Sequence, residues 1–81
     1  MKARQALIRY GYIILMLRRY QHGRWEYVFE TYRREETAER ALHSERGGFW
    51  TKEFVTISEA KKHGFQPEPA FFWDEYYEKE G

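Results

Sequence analysis

Six consecutive apolar or aromatic residues, Tyr12 to Leu17, stand between Arg9 and the Arg18-Arg19 pair. A membrane-spanning helix needs about 20 apolar residues, so the arginines cut this run far short of a span. A secretory signal would need an unbroken apolar core and a small-residue cleavage site. Here Arg9 interrupts the core and Arg18-Arg19-Tyr20 follows it. The expectation is a cytoplasmic protein without a membrane partner, in which the run is buried by the chain itself. A strand with one wet face alternates apolar and polar residues, whereas an unbroken run marks a strand covered on both faces and central in its sheet. A short buried helix is the alternative, because a run of this length does not discriminate by periodicity.

The residues that follow favour the strand. His22-Gly23 separates the run from a second segment, RWEYVFETY, and glycine supplies the positive φ that a tight hairpin turn needs. Pairing Gln21 with Arg24 fixes every later pair. Tyr20/Trp25, Arg18/Tyr27, Met16/Phe29 and Ile14/Thr31 fall on one face. Arg19/Glu26, Leu17/Val28, Leu15/Glu30 and Ile13/Tyr32 fall on the other. Opposite charges and aromatic pairs meet across the strands, each such pair contributing about 0.2–1 kcal/mol.

Beyond the hairpin, EETAERALHSERGG opens with Glu35 and Glu36, spaces Ala38, Ala41 and Leu42 helically, and ends on Arg46 and Gly47, which predicts a helix lying on the sheet. Phe49–Ile57, rich in aromatic and β-branched residues, predicts a third strand. Ser58 is placed to cap a short helix over Glu59–His63, stopped by Gly64. Pro67 and Pro69 exclude ordinary helix through residues 66–68, and Pro69 can open another. In such a helix Phe72 and Tyr76 share a face, as do Trp73 and Tyr77. That helix either closes the core or offers an aromatic, acidic peptide to a partner.

Eighty-one residues make one expected domain with a small core, and the 20% of residues that are Phe, Trp or Tyr supply the large side chains such a core depends on. With no cysteine, disulfides and thiolate chemistry are excluded and a reducing compartment is permitted. The net charge of +1 hides an asymmetry. Residues 1–34 hold eight Lys or Arg against two Glu, whereas residues 35–81 hold six against eleven Asp or Glu. All but one of the eight are arginine, whose planar fork matches phosphate and stacks on rings. Interleaved with Tyr20, Trp25, Tyr27 and Tyr32, they have the make-up of a nucleic-acid surface. The alternative is that they pair with the acidic half inside one fold.

Catalytic and metal motifs are sparse. His22, His43 and His63 are not spaced as metal ligands, and Gly47-Gly48 lacks the Lys-Ser/Thr of a phosphate loop. Ser58-Glu59-Ala60-Lys61 has the S-x-x-K spacing of serine acyltransferases without their other motifs, so it is assigned to a helix start. The stretch TISEAKKHGFQPEP resembles the Gly-Phe-x-Pro turn of small zinc-knuckle modules related to alkylation-repair proteins. Their metal-binding cysteines follow the proline, and this chain has none. The same stretch resembles the first helix of excisionase-type winged-helix readers, with Ala60 and Gly64 at helix-turn-helix spacing. Pro67 and Pro69 fall where the recognition helix of those readers begins.

The sequence therefore predicts an α+β fold: a small antiparallel sheet of a β-hairpin plus a third strand, with two or three short helices mainly on one face. Its core should include Ile14, Met16, Leu17, Val28, Phe29, Leu42, Phe54, Val55 and Ile57. The predicted function is a non-enzymatic binding module, without cofactor or metal. It engages nucleic acid through Arg18, Arg19, Arg24, Arg33 and Arg34 on phosphates and Trp25 and Tyr27 on bases. The alternative is a protein-interaction module, such as a small regulator or inhibitor of the kind phage and mobile elements encode, homodimeric through the third strand.

Overall fold

The computed structural model describes residues 1–45, 49–69 and 71–75. Within them the order is α1 (Ala3–Tyr10), β1 (Ile13–Gln21), β2 (Arg24–Tyr32), α2 (Glu35–His43), β3 (Thr51–Val55) and α3 (Ile57–Lys62). The three strands form an antiparallel sheet in the order β2-β1-β3, so the apolar run is the central strand. The hairpin has the expected register along its whole length, from Gln21↔Arg24 to Ile13↔Tyr32. His22 and Gly23 both have positive φ, 56° and 79°, the pairing of a two-residue turn whose twist matches the strands.

Both faces of β1 are covered, and Ile13 through Leu17 are buried without a break. On one face Ile13, Leu15 and Leu17 join Tyr32 and Phe54 beneath Ala3 and Ala6 of α1 and Ala38 and Ala41 of α2. Small residues on both helices let their backbones approach the sheet closely. On the other face Ile14, Met16 and Val55 pack under Ala60 of α3, with Ile57, Phe65, Phe29 and Tyr27 at the margin. Two helices thus cover one face and one helix covers the other.

The helix α1 was not among the expected elements. Its signal is Ala3, Ala6, Leu7 and Tyr10, an i, i+3, i+4, i+7 stripe closed by Gly11 at φ 83°, whose N–H donates to the Leu7 carbonyl over 2.9 Å. Lys2, Arg4 and Arg9 mask that stripe as a basic leader. Two further expectations are corrected. Val28 is 43% exposed, because it sits on the edge strand, towards the turn and past the reach of α1 and α2. The cap of α3 is Thr56, whose Oγ1 accepts the Glu59 N–H at 3.0 Å, while Ser58 lies inside the helix. Phe29, Leu42 and Ile57 are half-buried at the core margin, and the other five expected core residues are buried.

Helix α2 begins at Glu35 as expected and ends at His43. Arg46 and Gly47, expected as its last turn and stop, lie outside the described residues. Of the helix expected from Pro69, one turn over 73–75 is present, and Tyr76 and Tyr77 lie outside the described residues. No helix follows α3 within 65–69, where a winged-helix reader would begin its recognition helix.

Candidate functional site

The seven arginine and aromatic residues singled out by sequence fall into three places, because a strand sends successive side chains to opposite faces. Arg18, Trp25 and Tyr27 share the face that carries α3, at the turn end of the hairpin. Arg19 and Arg24 lie on the opposite face. Arg33 and Arg34 follow the far end of β2, roughly 27 Å from Trp25 at about 3.4 Å per residue.

At the turn end, Trp25 and Tyr20 are 54% and 62% exposed, and meet edge to face with ring centroids 5.5 Å apart. The Arg18 guanidinium carbon is 5.8 Å from the Trp25 ring centroid, within cation–π range. Cross-strand pairing puts Arg18 opposite Tyr27 on one side and Thr51 on the other, which fixes where its stem leaves the sheet. Tyr27 lies 6.5 Å from Trp25 and stacks almost parallel on the His63 ring, with centroids 4.1 Å apart and planes 12° apart. His63 follows α3 as its C-cap, and its Nε2 is 3.6 Å from the Glu59 carboxylate. One face of Tyr27 is therefore covered, and its ring braces the open Tyr20–Trp25 pair.

The row Tyr20, Trp25, Tyr27, His63 runs from the turn to the end of α3. Only the turn half of it offers free ring surface. Arg18 lies within the row, and at its α3 end the exposed Lys61 and Lys62 stand beside Glu59, which pairs with Lys62 at 3.6 Å. His63 was absent from the sequence-derived set. The turn register does not reveal it, since its place depends on how α3 docks.

The other arginines are differently engaged. Arg19 Nε lies 2.8 Å from Glu26 Oε2, and its guanidinium stacks 4.1 Å from the Trp50 ring centroid. Arg24 is exposed beside the turn. Arg33 reaches Glu75 at 3.3 Å and lies 4.2 Å from the Phe72 ring centroid. The Arg33 and Arg34 backbone N–H groups both donate to Asp74 Oδ2, at 2.8 and 2.7 Å.

Among the described residues no three His, Asp or Glu side chains gather as metal ligands would, and no helix is long and apolar enough to cross a membrane. The chain matches no protein-family model, no curated protein and no solved structure.

Proposed function

We propose that the protein is a non-enzymatic binding module that takes single-stranded nucleic acid on the turn-end face of its hairpin. The observation that carries this reading is the exposed Tyr20–Trp25 pair with Arg18 beside it. An exposed tryptophan presents a flat π surface to any base, and stacking of this kind is tolerant of sequence. A guanidinium at the ring's margin can meet the phosphate joining stacked bases while retaining its contact with the ring. Single strands fit better than duplex, because rings lying along a sheet need unpaired base faces.

Roles within the sequence-derived set then differ. Trp25 stacks, and Arg18 supplies a phosphate contact on the same face. Arg24, rooted on the opposite face beside the turn, supplies a second where the bound strand passes the end of the hairpin, and Tyr27 supports the platform through His63. Arg19 is already satisfied by Glu26 and Trp50, and Arg33 and Arg34 are too distant to share a short ligand with Trp25.

A labelled single-stranded oligonucleotide titrated at several salt concentrations tests the reading. The two phosphate contacts, Arg18 and Arg24, give a log–log salt slope of about −1.4. Arg18→Ala and Arg24→Ala should each weaken binding and flatten the slope, while Arg33→Ala leaves both unchanged. Binding that ignores salt, or that survives loss of both Arg18 and Arg24, removes the proposal. In that case the exposed Trp25 and Tyr20 are better explained as a protein-docking surface.

A further inference from the structure

Residues 71–75 are held by a cradle that the chain builds some forty residues earlier. The Thr31 hydroxyl donates to the Phe71 carbonyl at 2.5 Å, and Asp74 Oδ2 accepts the Arg33 and Arg34 N–H groups. Phe72 is buried, with its ring edge to face on Tyr12 at 5.9 Å and the Arg33 guanidinium 4.2 Å from its centroid. Arg33 also pairs with Glu75. The cradle is formed by the start of β1, the end of β2 and the entry to α2, and these stay together without the segment because the hairpin register holds them. It recognises the segment by aromatic, acidic and backbone chemistry, and a second copy of the chain presents the same chemistry.

The connection between α3 and the segment is strained in the closed arrangement. Glu68 has φ 66°, a left-handed conformation that L side chains other than Asn and Asp rarely adopt. It directly precedes Pro69, and a residue before proline is driven towards extended backbone. Pro67 adds stiffness two residues earlier. A short connection that carries a strained residue and closes onto its own chain is the arrangement that favours exchange of the segment it carries. Extending the chain from Gln66 to the segment gives a reach of roughly 17 Å while Phe65 keeps its place in the core, and moves Glu68 to the backbone its position prefers.

We propose that the segment 71–75 exchanges between two copies of the chain, each cradle holding the partner's Phe72 and Asp74, so that the protein forms a dimer by reciprocal docking. The strain at Glu68 is released in the dimer and retained in the monomer. Glycine at that position removes the monomer's penalty, so Glu68→Gly should raise the dimer dissociation constant about tenfold or more.

Sedimentation of the full chain over a wide concentration range measures the equilibrium. Mixing and co-refolding an Arg33→Cys copy with a Glu75→Cys copy, then adding a short bis-maleimide, reports which chain supplies the segment. Both positions are exposed and the chain has no other cysteine, so the cross-link is unambiguous. The expected results are a concentration-dependent dimer, a 33–75 cross-link between chains, and a shift towards monomer in Glu68→Gly. A monomer at every concentration overturns the proposal. So does a dimer that yields no 33–75 cross-link between chains, or one whose dissociation constant Glu68→Gly leaves unchanged.

Discussion

Replacing Asp74 tests how the fold closes its far end. Helix α2 starts at Glu35 without a side-chain cap of its own, because Arg34 occupies the N-cap position and cannot accept a hydrogen bond. Asp74, forty residues away, instead binds the two N–H groups just ahead of the helix, those of Arg33 and Arg34. Its Oδ2 takes two N–H bonds of 2.8 and 2.7 Å, and the side chain is 2% exposed. Hydrogen bonds to a charged group contribute about 1.5–3 kcal/mol each, and the two share one oxygen, so the pair sums to less than twice the single value. Asp74→Ala should therefore destabilise by about 3–4 kcal/mol, a large part of the total for a domain of this size. Asp74→Asn keeps an acceptor but loses its charge and the favourable interaction with the helix dipole, so a loss of about 1–2 kcal/mol is expected. Urea denaturation followed by circular dichroism gives both values. If Asp74→Ala lies within about 0.5 kcal/mol of the parent, or if Asn is as damaging as Ala, the carboxylate is not the charged anchor for residues 33–34 described here.

Two further substitutions probe local features. Burial pushes the Tyr12 phenol above its ordinary value near 10, with the Glu68 backbone beside it pulling the other way. Because the folded value lies above the unfolded one, this contribution to stability is complete below pH 10 and is lost as pH rises through the folded value. Tyr12→Phe should remove one high-pH step from an alkaline absorbance titration and leave the urea midpoint nearly unchanged. Phe49 is 99% exposed with φ 57°, so its ring gains nothing while its backbone is strained. Phe49→Gly should stabilise by up to about 1 kcal/mol in thermal unfolding, and a lower midpoint would show that the ring has a partner.

The hairpin was readable because its information is local. A two-residue turn fixes the register, and the register fixes every cross-strand pair, including the Arg19–Glu26 contact now seen at 2.8 Å. The unbroken apolar run placed β1 at the centre for the same reason. Features that depend on docking were less accessible. The stripe of α1 was present, but alanines at positions 3 and 6 signal weakly beside three basic residues. The exposure of Val28 depends on where α1 and α2 end over the sheet. The acceptor for the Arg33 and Arg34 N–H groups ahead of α2 is Asp74, which nothing near residue 34 announces. At the candidate site, the register put Arg18, Trp25 and Tyr27 on one face and separated Arg19 and Arg24 from them. The bracing of Tyr27 by His63 required α3 to be placed.

Trp25→Ala, measured for both stability and single-strand affinity, tests the central claim most directly. An indole 54% exposed, touching Tyr20 edge to face, should cost no more than about 1.5 kcal/mol of stability when removed. Removing a buried aromatic would cost about 3–5 kcal/mol. A base that stacks on Trp25 contributes roughly 1–3 kcal/mol, so the variant should bind a short single-stranded oligonucleotide about 5- to 150-fold more weakly than the parent. The account predicts a folded variant with that loss of affinity. A folded variant that binds the oligonucleotide as tightly as the parent would contradict it.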